Sequence, residues 1–103
     1  MKTQIRQHLN ELQIAMQLHH LWESISPSPQ DLANDQPFCI GTLSATQWLQ
    51  WIFIPRMNAL LDANAELPVN FSITPYLEEA LKNEKYLTQL CEPIQHIEKK
   101  LSR

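Results

Sequence analysis

Residues 44–64 read SATQWLQWIFIPRMNALLDAN and constrain the fold more than any other stretch. Across residues 48–54 only Gln50 is polar, so a helix here is apolar nearly all round and must be covered on several sides. Ser44 followed three residues later by Gln47 matches a capping box, with Leu43 and Trp48 in the places of a hydrophobic staple. The predicted core helix therefore starts at Ser44 and runs to about Asn64.

At about 100° per residue, Trp48, Leu49, Ile52, Phe53, Ala59 and Leu60 share one broad arc, with Gln47, Gln50, Asn58 and Asp62 on the other. Arg56 projects from the middle of the apolar arc, while Trp51, Ile54 and Leu61 fall among the polar positions. A guanidinium on an apolar face must reach water or find an anionic partner. The three misplaced apolar side chains are either buried beneath another segment or anchor an interface. Pro55 cannot donate to the Trp51 carbonyl and crowds that turn, which predicts a kink costing up to ~3 kcal/mol unless packing compensates.

The remaining chain supplies what covers this helix. Ile5, Leu9, Leu12, Met16 and His19 recur at helical spacing, predicting an amphipathic helix over residues 2–22. Ile14, Leu18 and Leu21 lie on its opposite side, so that end is either sandwiched or meets a partner, and a sandwich fits better. Residues 23–43 show no sustained period and contain Pro27, Pro29 and Pro37, so they form a long connection. A packed strap fits better than a mobile lid, with Leu32, Phe38 and Ile40 as its anchors. A third helix begins at Pro75, with Thr74 as its side-chain cap, and ends near Asn83. A fourth restarts near Glu84 and keeps Leu87, Leu90, Cys91, Ile94, Ile97 and Leu101 in register, and Pro93 implies either a kink at Cys91, which fits the unshifted stripe better, or a helix break nearer Pro93. Lys99, Lys100 and Arg103 complement the dipole of its end.

A single Gly and a single Val in 103 residues disfavour tight hairpins and a β-rich core. The expected fold is therefore all-α: one domain, an up-and-down bundle of about four helices with the kinked second helix at its centre. A formal charge of −3 lacks the basic footprint of direct nucleic-acid binding. No run reaches the ~20 apolar residues of a membrane span and no hydrophobic leader opens the chain, which points to the cytoplasm. In that reducing compartment Cys39 and Cys91, far apart in sequence, are expected as free thiols. His19 and His20 diverge on a helix, His8 and His96 read as surface residues, and no histidine has a metal partner at ligand spacing. No nucleophile with a base and no phosphate-cradling loop is present, so neither a cofactor nor a catalytic role is expected.

The segments QPF at residues 36–38, WLQWIFIPRM at 48–57 and ITPYLEEAL at 73–81 closely resemble the YqcC-like family of small uncharacterised bacterial proteins, and the resemblance covers essentially the whole chain. Gly41 stands where the resemblance leads one to expect an acidic residue. The resemblance implies an α-helical bundle and, through a gene neighbourhood that often includes a TruC-type tRNA pseudouridine synthase, a partner or accessory role in tRNA modification. It also places the PRM and PYLEE segments among the shared motifs, which makes Glu78, and after it Glu79, the expected partner of Arg56. Two readings follow. In the first, the protein is a non-enzymatic interaction partner using Trp51, Ile54 and Leu61. In the second, a pocket beside Arg56 binds a small anionic ligand; Glu78, Trp48 and Phe38 complete the set of candidate binding residues.

Overall fold

A computed structural model describes residues 1–102. Four principal helical stretches build an all-α bundle: α1 (Lys2–Leu18), a continuous helix over residues 45–62, α5 (Thr74–Ala80) and α6 (Leu87–Lys100). The continuous helix consists of α3 (Ala45–Trp48), a π turn (Leu49–Phe53) and α4 (Ile54–Asp62). A single-turn helix, α2 (Pro29–Leu32), and a 3₁₀ turn (Pro37–Cys39) punctuate the long connection. Among the described residues there is no β-strand.

Ile5, Leu9, Leu12 and Met16 put one face of α1 into the core at intervals of three and four residues. This face meets α6, whose Leu90, Ile94 and Ile97 are fully buried, and the two form the most extensive helix pairing of the fold. α5 packs on α6, and α1 also meets α4. α6 continues unbroken through Pro93. Lys99 and Lys100 occupy its last turn, whereas Arg103 lies outside the described residues.

α1 ends four residues before the predicted boundary. The amide of Leu21 donates to the Met16 carbonyl at 2.9 Å and that of His20 to Gln17 at 3.1 Å, with His20 at φ 59°. This is a Schellman ending with histidine in the left-handed place usually taken by glycine. α4 ends in the same way: Ala65 donates to Leu60 at 2.9 Å and Asn64 to Leu61 at 3.1 Å, with Asn64 at φ 53°. The scarcity of glycine therefore did not remove left-handed residues; His20, Phe38, Cys39, Asn64 and Asn70 all adopt positive φ.

The start of the Trp-rich helix is as read. Ser44 Oγ accepts from the Gln47 amide at 3.2 Å and Gln47 Oε1 accepts from the Ser44 amide at 2.9 Å. At Pro55 the helix departs from α geometry. A π turn precedes it, in which the Ile54 amide reaches back five residues to the Leu49 carbonyl. The wider turn rotates everything after it by about 100° relative to an unbroken α-helix. That rotation carries Ile54, Met57 and Leu61 into the core, turns Ala59 out to solvent and leaves Arg56 at the edge of the apolar arc.

Thr74 does not cap α5 with its own side chain; the helix starts one residue earlier than predicted and is capped from α6. Glu98 accepts from the amides of Ile73 at 2.5 Å and Thr74 at 3.1 Å, and from Thr74 Oγ1 at 2.5 Å. A carboxylate at a helix start satisfies otherwise orphaned amides and complements the dipole. Of the three apolar side chains predicted to be sandwiched on the far side of the first helix, only Leu21 packs against the core. Ile14 and Leu18 are 55% and 72% exposed, above a groove between α1 and α6 bordered by Glu11, Pro93 and His96. His8 and His96, expected as separate surface residues, bring their rings to 4.9 Å across this pair of helices, and His8 Nδ1 lies 2.6 Å from Glu11 Oε1.

Candidate functional site

The long connection is tied down at its first residue. Gln50, buried in the π turn, accepts the Glu23 amide at 2.8 Å and donates Nε2 to the Glu23 carbonyl at 2.7 Å. The Glu23 carboxylate in turn accepts the Trp51 indole N–H at 3.0 Å and Gln47 Nε2 at 3.3 Å. Trp51 is thus half-buried and hydrogen-bonded, while Ile54 and Leu61 are core residues. An exposed Trp51–Ile54–Leu61 interface is not formed, because the strap covers the first and the π turn rotates the other two inward.

Farther along, the strap is knitted to itself. Asn34 Nδ2 donates to the Ile40 carbonyl and to Thr42 Oγ1, each at 3.0 Å, and Thr42 Oγ1 donates to the Asp31 carbonyl at 2.8 Å. This closes a loop in which Phe38 (φ 58°) and Cys39 (φ 51°) take left-handed conformations, followed by Gly41 at φ 101°. Gly41 suits that backbone; a side chain there would enter open space at a strained φ. Of the predicted anchors, Phe38 packs against the core, Leu32 is half-buried and Ile40 is exposed, while Cys39 and Leu43 are buried as well.

The strained turn presents the Phe38 ring to the helices. It stacks on Tyr76 at 4.1 Å between centroids and meets Trp48 edge-on at 4.9 Å. Trp48 stacks on Phe53 at 5.6 Å, and Phe53 approaches Phe71 at 6.3 Å. Burial raises the Tyr76 hydroxyl pKa, with Cys39 adding to the effect. Between these rings lies a cleft of about 250 Å³. Phe53, Met57 and Ile73 form its buried wall, Phe38, Trp48, Leu60 and Phe71 its half-buried sides, and Arg56, Pro68 and Ser72 its exposed rim.

The structure therefore assembles three of the sequence-predicted residues, Arg56, Trp48 and Phe38, in one cleft. Glu78 is elsewhere. It borders the α5–α6 contact with Leu87, Cys91 and Gln95, where it and Glu98 add to the burial that pushes the Cys91 thiol upward. The expected Arg56–Glu78 pair is not formed, and among the described residues Arg56 makes neither an ion pair nor a hydrogen bond. The reason is again the π turn, which moves Arg56 out of the apolar arc and removes its need for a buried partner. Phe71, Ser72 and Tyr76 complete the site without having been singled out; Phe71 and Ser72 sit in a connector with no period to mark them. Cys39 and Cys91 are free and buried. Among the described residues no group of three or more His, Cys, Asp or Glu is placed to hold a metal, and no helix is long and apolar enough to cross a membrane.

A family model, DUF446, described as tRNA pseudouridine synthase C, matches residues 4–100. An uncharacterized protein of Haemophilus influenzae is 46% identical over 98 residues, spanning 95% of this chain and 92% of that one. The uncharacterized protein YqcC of Escherichia coli is 38% identical over 80 residues, 78% of this chain and 73% of its own length. The solution NMR structure of YqcC aligns with a TM-score of 0.76 at 34% identity, over 97% of this chain and 83% of that one. A tRNA pseudouridine synthase C of Pectobacterium carotovorum is 36% identical over 67 residues, which are 65% of this chain but only 18% of that protein.

Proposed function

This chain belongs to the YqcC-like family, DUF446, and from that membership we propose that it is a non-enzymatic accessory protein that binds a tRNA pseudouridine synthase of the C type. One observation carries the reading: a segment similar to this chain makes up less than a fifth of a protein named tRNA pseudouridine synthase C. In that protein the helical segment and the remaining four fifths share one polypeptide. Here the equivalent helical unit acts in trans, and the catalytic residues belong to the partner. An open apolar cleft and the exposed Ile14 and Leu18 give the chain surfaces suited to such association.

The test is direct mixing of the purified chain with the purified synthase from the same organism, read by analytical size exclusion and by pseudouridine formation on tRNA. A stable complex that changes the rate or site preference of modification is the expected result. Two proteins that elute separately at concentrations of about 50 μM, with modification unaltered, exclude a complex of useful affinity and would overturn the reading.

A small anionic ligand at Arg56 is the second reading, favoured by the uncompensated guanidinium at the cleft mouth. Volume weighs against it, since about 250 Å³ lies below the roughly 300–1,000 Å³ of small-molecule sites.

A further inference from the structure

We propose that the Arg56 cleft receives one bulky apolar side chain of a partner polypeptide together with a carboxylate beside it, so that a short segment of apolar–acidic character is the recognised element. The inference rests on the accessory reading and names the chemistry by which the partner is held.

Size comes first. A closed apolar cavity of about 150 Å³ admits a benzene ring, so a cleft of about 250 Å³ takes one indole, phenyl or branched aliphatic group and little more. Its walls favour that occupant. Trp48, Phe38 and Phe71 offer ring faces and edges, and buried Met57 supplies an adaptable floor.

Charge then selects the neighbour. Among the described residues Arg56 is the one charged residue lining the cleft, and it has no partner there. A guanidinium at the mouth of an apolar recess pairs most strongly with a planar carboxylate, and the apolar surroundings strengthen the contact. Ser72, on the same rim, adds a hydroxyl within the lining. Aromatic rings beside arginine also suit a nucleobase and its phosphate. A nucleic-acid track, however, needs several cations in series, and this rim has one on a chain of net charge −3. The same single cation and single-side-chain volume define a polypeptide anchor, and aromatic and arginine contacts of this kind dominate protein interfaces.

The experiment uses the full chain, isotope-labelled, in NMR titrations with acetyl-Ser-Trp-Asp-Ser-amide, its Asp-to-Asn and Trp-to-Ala counterparts, and an oligouridylate. The Trp-Asp peptide is expected to shift the amides of Phe38, Trp48, Phe71 and Ser72 and to bind about three- to tenfold more tightly than the Trp-Asn peptide. Arg56→Met should erase that difference while the Trp-dependent shifts remain, and Ser72→Trp, which fills the mouth from an exposed position, should abolish binding. Shifts confined to other surfaces, equal affinity for the Asp and Asn peptides, or tighter binding of the oligouridylate would overturn the proposal. Cleft amides that move on simple dilution of the chain would do so too, because a second copy would then be the occupant. Failure here separates from failure of the accessory reading. A synthase complex indifferent to Ser72→Trp removes the cleft and keeps the accessory role, whereas peptides that bind while the synthase does not associate keep the cleft and remove that partner.

Discussion

Gln50 joins two parts of the chain that sequence order separates by 27 positions. Its carboxamide satisfies both the amide and the carbonyl of Glu23, a reciprocal pairing that only a side chain with one donor end and one acceptor end can make. Replacing it by leucine keeps most of the volume but leaves two backbone groups without partners. We expect Gln50→Leu to cost about 2 kcal/mol, seen as a lower urea midpoint with an unchanged slope. Glu23→Ala keeps the backbone pair and loses only the bonds to Trp51 and Gln47, so about 1 kcal/mol is expected. The reverse order would show that the carboxylate, and not the carboxamide, closes the strap. Gln50 stood out in the sequence as the one polar residue of an apolar run, and even helical spacing placed it on the solvent side. What covers it arrives from a segment without periodicity, so its burial was not legible.

At the scale of elements, what is local was readable. The Ser44–Gln47 capping box, the buried stripe of α1 and the passage of α6 through Pro93 all follow from spacings within a few residues. The π turn was not readable, because no spacing announces an amide that reaches five residues back. That single turn accounts for most of the misplacements in the candidate site: Ile54 and Leu61 inward, Ala59 outward, Arg56 to the rim. The cap of α5 was invisible for another reason, since Glu98 acts 24 residues from the amide of Thr74. Glu98→Ala should cost about 1–2 kcal/mol, in the range of lost helix caps with a dipole contribution. Hydrogen exchange locates the effect. The amides of Ile73 and Thr74 should lose protection first, while α1 follows only the global stability. Uniform loss across α1 and α5 would mean that Glu98 acts through packing of α6 and not through the cap.

For the whole molecule, helix number was encoded in each stretch separately, but the pairing of the chain's two ends through α1 and α6 was not, since both apolar stripes suit several partners. That packing also sets the response to alkali. Cys91 is buried where α5 meets α6, and burial raises its thiol pKa, with Glu78 and Glu98 adding to the shift. Tyr76 and Tyr86 are raised by burial as well, helped by Cys39 and Glu84. All three are neutral when protonated, so above the ordinary thiol value of 9.0 the unfolded chain releases a proton that the folded chain retains. The unfolded state then binds fewer protons, and unfolding free energy falls as pH rises; the contribution is complete below that value and is lost on passing through the raised one. The limit is about 1.4 kcal/mol per pH unit for one fully retained proton, and the tyrosines, with an ordinary value of 10.0, enter later. Urea midpoints measured from about pH 8 to about pH 10.5 should therefore decline, steeply from near the thiol range. Cys91→Val, close in volume and without a proton to hold, should delay the onset of the decline to the tyrosine range while changing neutral stability by less than about 1.5 kcal/mol. A pH profile in Cys91→Val that superimposes on the parent would assign the alkaline loss to groups other than this thiol.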